Sequence, residues 1–173
     1  YRLNKITERI AMKQVSGLIA VSANYILDLQ SRYPHMRQVP TEVITFGYSE
    51  FDLKIASSIP ASNLNFSSDQ FNIVYIGAVG SIMKESVTTL FKGISVLKNL
   101  NPEIYNKIKF HFIGTSYAAE KLAEPSVSPI ANDFGVVERV NEKTGRIGYF
   151  DALNLLSRAG ALIILGSDDK HYS

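Results

Sequence analysis

The sequence predicts an α/β protein whose main domain is a doubly wound parallel sheet. Three observations carry that prediction. Short apolar runs recur at Phe71–Ile76, Ile108–Ile113 and Ala161–Leu165, and each is closed by a glycine: Gly77, Gly114 and Gly166. Segments with a helical apolar period stand between them, so strands and helices alternate from Phe71 to the end of the chain. Such alternation favours parallel strands joined by right-handed crossovers, with helices on both faces.

Ahead of that domain, Leu3, Ile6, Ile10 and Val15 lie at near-helical spacing, and Ser16-Gly17 breaks the helix. Leu18–Val21 reads as a short buried strand. Tyr25, Ile26, Leu29 and Tyr33 mark a helix over Ala23–Tyr33, with Ser22 as its N-cap and Pro34 as its stop. Thr41–Phe46 reads as another strand, turned by Gly47. From Tyr48 to Gln70 serines, Pro60 and Asn63 make a polar, weakly structured passage, which predicts a linker over 48–70 and a main domain over 71–173. Within the main domain, Val87, Leu90, Phe91, Ile94, Leu97 and Leu100 keep a helical period. Tyr117–Leu122 reads as a further helix, Ile130–Phe134 as one or two turns, Val136–Val140 as a short strand and Tyr149–Arg158 as an amphipathic helix. Ala161–Leu165 reads as a strongly buried strand.

The chain has 173 residues, 46% of them hydrophobic and 20% charged, which is enough apolar material for a core. A net charge of +2 gives no global field arguing for nucleic acid or an anionic membrane surface. Basic–aromatic interleaving of the kind that binds nucleic acid is missing. There is no cysteine, which excludes a disulfide framework and every thiolate metal site and agrees with a cytoplasmic location. No apolar run approaches the ~20 residues of a membrane span, and the N-terminus lacks signal-peptide architecture. The chain opens at Tyr1 inside a helical pattern, which predicts an excised piece of a larger protein.

The stretch Phe71 to Ser81 is the focus of the site prediction. A buried strand runs into Gly77-Ala78-Val79-Gly80-Ser81, and a helix starts shortly after. A turn of this kind at a helix N-terminus presents unpaired N–H groups to an anion, usually a phosphate. It is equally a βα turn that needed small residues, and its Gly-x-x-Gly spacing matches neither the dinucleotide fingerprint nor the P-loop. In an open parallel sheet, ligands bind beyond the carboxyl ends of the strands, at the switch in strand order. Gly77, Gly114 and Gly166 are therefore expected to line one crevice.

The ordered series Ser16–Ser22, Val43–Tyr48, Ile73–Gly77 and Phe110–Thr115 resembles the middle of a GT-B glycosyltransferase. Arg146–Leu153 followed by Leu162–Asp169 resembles the later part of the donor domain of that fold. The similarity is to the family 4-like branch of bacterial polysaccharide synthesis, and it covers nearly the whole chain. It implies two Rossmann-like domains facing a cleft, of which 1–47 is the end of the acceptor domain with the interdomain strand, and 71–173 is a truncated nucleotide-sugar-binding domain. It further implies transfer of a sugar from a nucleotide sugar to a glycan or lipid-linked acceptor, without a metal or other cofactor, in a parent protein peripherally associated with a membrane. Many members of that family carry Arg directly after the glycine matching Gly77. Here Ala78 stands in that place and Lys84 is the nearby cation. Phe46 stands where many have Asn.

The resemblance implies roles for particular residues. A leaving nucleoside diphosphate needs its growing charge neutralised, and the Gly80 and Ser81 amides with Lys84 are the expected partners. A solvated lysine is the plain alternative for Lys84, as an exposed loop arginine is for Arg146. Gly114, Thr115 and Ile147 are expected to make main-chain contact with the base, with the donor at the Gly77 and Gly114 strand ends. Ser167, Asp168 and Asp169 sit at a strand end, where the aspartates touch ribose hydroxyls or cap a following helix. Asp168, Asp169 and His171 also resemble a metal cluster, but a solvated loop is the expectation, and His111 inside an apolar strand reads as structural. A non-catalytic nucleotide-binding or regulatory module with a Rossmann-like sheet is the alternative function. A dinucleotide enzyme is weakened by the missing Gly-x-Gly-x-x-Gly. The piece alone is expected to transfer no sugar, because both the acceptor wall and the helix gripping the donor sugar lie outside it, and an exposed final strand predicts self-association.

Overall fold

The computed structural model describes residues 2–60, 66–119 and 122–168, divided into two units, Tyr1–Ser49 and Glu50–Ser173. In the first unit, α1 (Arg2–Ala11) continues into a 3-10 turn at Met12–Gln14, followed by β1 (Leu18–Ala20) and α2 (Ala23–Arg32). A 3-10 turn at Pro34–Gln38 leads to β2 (Thr41–Val43). β1 and β2 pair in parallel, Leu18 opposite Thr41 and Ala20 opposite Val43. Ser22 is extended (φ −146°, ψ 142°) and its hydroxyl accepts from the Asn24 amide at 3.3 Å, the expected N-cap. Proline fixes φ and lacks an N–H, so the helix gives way at Pro34 to a tighter turn. Ile26 and Met36 are the buried apolar anchors of this unit.

The second unit opens with α3 (Glu50–Ser58), inside the passage expected to be a weakly structured linker. There follow β3 (Phe71–Ile76), α4 (Lys84–Leu100), α5 (Pro102–Lys107), β4 (Ile108–Ile113), α6 (Ser128–Asp133), β5 (Val140–Lys143), α7 (Tyr149–Arg158) and β6 (Ala161–Leu162). The strands form one parallel sheet in the order β5-β4-β3-β6. The chain steps outward from β3 through β4 to β5, then returns to the other side of β3. With right-handed crossovers, that reversal puts α4 and α7 on opposite faces. The expected doubly wound parallel sheet is therefore present.

One face is an aromatic core. Phe91 of α4, fully buried, meets Phe110 and Phe112 of β4 edge to face, with ring centroids 6.4 and 5.9 Å apart. Val87, Tyr105, Ala131 and Val136 close around them. Alternation along the strands sends Val74 and Ile113 to the other face. Leu155 of α7 is fully buried outside the aromatic cluster. α3 is tied to α7 by the Asn154 amide donating to the Ala56 carbonyl (2.8 Å) and by the Tyr149 hydroxyl donating to Asp52 (3.0 Å). Those contacts make 50–58 part of this unit, although its serines read as loop.

The structure departs from the sequence reading in further places: β1 is not a buried strand, since Ile19 is 69% exposed, and β2 ends at Val43 instead of Phe46. Asn101 caps α5 by accepting from the Ile104 amide, with Pro102 in the first turn, a helix the apolar period is too short to reveal. The chain turns at Gly135 and Val136 is drawn fully into the core, so Val137–Arg139 coils into a 3-10 turn. Strand pairing begins only at Val140, opposite Phe110. Tyr117–Ala119 are not helical, and 120–121 lie outside the described residues. β6 is short and lies at the sheet edge: Leu162 is 56% and Ile164 95% exposed, against the strongly buried strand expected there. Among the described residues no helix is long and apolar enough to cross a membrane.

Three strands share a polar row on the α7 side. His111 Nε2–H donates to Asn72 Oδ1 (2.9 Å), while Asn141 donates to His111 Nδ1 (3.3 Å). The Asn72 amide group is fixed by the Ser67 and Gln70 carbonyls, and the Phe66 ring packs on the imidazole at 4.8 Å. The structural reading of His111 fits this geometry. Burial, with the Lys109 charge second, pushes its pKa from 6.5 to about 4. Between those values the unfolded chain binds the proton and the folded one does not, so stability falls as pH drops from 6.5 towards 4. The expected loss is on the order of 3 kcal/mol. Urea denaturation across that range should show a shallower pH dependence in His111→Gln than in the wild type. Identical slopes would contradict the buried neutral imidazole.

Candidate functional site

Two cavities open at the carboxyl ends of the strands. The first, about 170 Å3, is lined by Ile76, Gly77, Ala78, Ile113, Gly114, Arg146, Ile147 and Ala152. It unites four residues singled out from the sequence: Gly77, Gly114, Arg146 and Ile147. Gly77 has φ +155° and Gly114 φ +75°, backbone conformations that side-chain-bearing residues rarely adopt. Ladder bonds run past the strand ends here. The Gly77 amide donates to the Ile113 carbonyl (2.9 Å), Val79 to Thr115 (2.9 Å) and Gly114 to Lys143 (2.8 Å). The Tyr75 hydroxyl donates to the Ala78 carbonyl (3.0 Å), bracing the turn from inside. At its volume the cavity takes a flat ring rather than a whole ligand, since sites burying a drug-sized molecule run to roughly 300–1,000 Å3. Arg146 lies over Gly114 and stacks its guanidinium 4.6 Å from the centre of the exposed Tyr117 ring.

The second cavity, about 620 Å3, lies beside β6 and α4 and is lined by Glu85, Ser86, Thr89, Leu90 and the segment 163–168. Gly166, Ser167 and Asp168 belong to this cavity, so the three glycine-ended strands do not line a single one. Asp168 is spent on α4. Its carboxylate accepts from the amides of Glu85 (2.8 Å) and Ser86 (3.2 Å), with the Ser86 hydroxyl at 3.3 Å. An acidic side chain thus satisfies the N-terminal amides of α4 where the macrodipole favours negative charge. The capped helix precedes Asp168 in the chain by more than eighty residues and does not follow it. Asp169 and His171 lie outside the described residues.

Gly80, Ser81 and Lys84 are exposed at the same helix start and line neither cavity. Gly80 has an ordinary φ of −87°, and a Cβ there would meet nothing within 4 Å. Its backbone is open to approach, but the turn itself does not demand glycine.

Thr115 is buried, and its hydroxyl donates to Glu142 Oε1 at 2.8 Å. Glu142, which the sequence reading passed over, also accepts from the amides of Ser126 (2.9 Å), Val127 (3.2 Å) and Ser128 (2.7 Å). It caps α6 from the neighbouring strand while holding the loop after Gly114. Burial raises its pKa, but the Ser128 amide, the Thr115 hydroxyl and the Ser126 amide outweigh that and hold it below the ordinary carboxylate value. Because the strand read from the sequence ends at Val140, no local signal marked Glu142. Its partner amides are 14 to 16 residues away in sequence, beyond any local motif. Replacing Glu142 by Gln removes the charge and leaves one acceptor oxygen facing several donors. The variant is expected to lose about 2 kcal/mol of unfolding free energy in urea titration. A loss below about 0.5 kcal/mol, the range of an ordinary surface substitution, would contradict the anchoring role.

Comparison of the chain with protein-family models finds no match, and comparison with curated proteins finds none either.

Proposed function

We propose that Glu50–Ser173 is the nucleotide-sugar-binding part of a GT-B type glycosyltransferase, and that 1–47 is the end of its acceptor domain. The parent enzyme transfers a sugar to a glycan or lipid-linked acceptor in cell-surface polysaccharide synthesis, in the cytoplasm. One observation carries the reading. The sheet order β5-β4-β3-β6 reverses at β3, and beyond the carboxyl ends of β3 and β4 a small cavity joins Gly77, Gly114, Arg146 and Ile147. These are four of the residues that the resemblance assigns to the donor.

On this reading the base enters the cavity over Gly114 and Ile147, flanked by the Arg146–Tyr117 stack. The diphosphate lies towards α4. The Glu85 and Ser86 amides are held by Asp168, so it takes the open backbone at Gly80 and Ser81 with the Lys84 ammonium. In the transfer, the bond from the anomeric carbon to the diphosphate oxygen breaks and the diphosphate leaves with the electron pair. The acceptor hydroxyl oxygen bonds to that carbon, and its proton passes to the leaving diphosphate oxygen or to water. Lys84 and the backbone amides stabilise the charge arriving on the diphosphate. A second reading, a non-catalytic nucleotide-binding module, has one observation in its favour: the Asp168 carboxylate already occupies the α4 amides that an anion would use.

Calorimetric titration of uridine and guanosine diphosphates, alongside uridine and guanosine, tests the reading. Lys84→Ala is expected to weaken the diphosphates about fivefold and leave the nucleosides unchanged. Equal weakening of both classes would remove Lys84 from the phosphate role, and no binding of any of the four to the wild type would overturn the site. Diphosphate binding without sugar turnover, in the chain extended at both ends, would favour the second reading.

A further inference from the structure

The first unit contains a cavity of about 530 Å3 lined by Arg9, Lys13, Arg32, Tyr33, Pro34 and His35, with no carboxylate in its lining. Arg9 and Lys13 stand four residues apart where α1 passes into its 3-10 turn, a spacing that brings side chains to one side of a helix. Neither takes part in an ion pair among the described residues. Arg32 differs. Its guanidinium is fixed by Glu8 and by Asp28, the latter at 2.9 Å. Those two carboxylates balance Arg32 but leave Arg9 and Lys13 uncompensated, in a unit with six Lys and Arg against three Asp and Glu.

Helix C-termini normally repel anions through their free carbonyls. Here several of those carbonyls are covered. His35 Nε2–H donates to the Met12 carbonyl (2.9 Å), the Tyr33 amide to Leu29 (2.8 Å) and the Met36 amide to Tyr33 (2.9 Å). The macrodipole alone explains single cations at a helix end, but not three basic side chains and a histidine from two helix ends around one concavity.

We propose that this cavity binds a phosphate ester. The Arg9 fork and the Lys13 point charge match phosphate oxygens, and Tyr33 and Pro34 offer an apolar wall to the organic part of the ester. The same chemistry is presented by a small soluble phosphate ester and by a phospholipid headgroup. The inference stands on the first unit alone and is independent of the function proposed for the second.

The test is a titration of the full chain with inorganic phosphate and glycerol 3-phosphate, followed by calorimetry and amide NMR shifts. In parallel the chain is mixed with phosphatidylcholine vesicles, with and without phosphatidic acid. The expected result is saturable binding with shifts at Arg9, Lys13 and His35, weakened about fivefold by Arg9→Gln and by Lys13→Gln. Both side chains are exposed, so the variants should keep the wild-type melting curve. Binding of the soluble esters, of the vesicles containing phosphatidic acid, or of both supports the proposal and identifies the source. No saturable binding of either kind overturns it. So do equal shifts produced by sodium chloride at matched ionic strength, or binding unchanged in the double variant.

Discussion

The pairing of β3 with β4, in register from Phe71 opposite Ile108 to Ile76 opposite Ile113, is the constraint on which the second unit depends. A one-residue slip would exchange the faces of β4. Phe110 and Phe112 would leave Phe91, and the polar His111 would enter the aromatic core. The same register sets Gly77 and Gly114 side by side at the strand ends, where their positive φ angles turn both chains over one small cavity. Core and candidate site are two consequences of a single alignment.

Two carboxylates complete what the backbone leaves open. Asp168 closes the start of α4 and Glu142 the start of α6, each reaching from a distant segment to amides that lack helical partners. Their effects on the site differ. Glu142 holds the loop after Gly114 through the Thr115 hydroxyl. Asp168 places negative charge where a diphosphate would otherwise sit, which moves the proposed phosphate position towards Gly80, Ser81 and Lys84.

Much of this was legible in the sequence because it was local. Gly77 and Gly114 announced tight turns at strand ends, Ser22 announced a cap, and the period of Val87, Phe91 and their neighbours announced α4. Other features were set by contacts distant in sequence. The apolar composition of 161–165 suits a buried strand, yet burial depends on strand order, and β6 falls at the edge. The serines around α3 read as loop because its partner, α7, lies about a hundred residues further on. Val136 and Val137 are β-prone, but the core takes Val136 before the strand can begin. Of the candidate site residues, Gly77, Gly114, Arg146 and Ile147 line one cavity, while Gly80, Ser81 and Lys84 line neither. Gly166, Ser167 and Asp168 belong to the neighbouring cavity.

The central claim is that a nucleotide enters between the ends of β3 and β4. Amide NMR of the full chain titrated with uridine diphosphate and guanosine diphosphate tests it most directly. The account predicts saturable shifts, with at least one of the two, that centre on Gly77, Ala78, Gly114, Ile147 and Ala152 and extend to Gly80 and Ser81. Shifts confined to 163–168, or no saturable shift with either nucleotide, would contradict it.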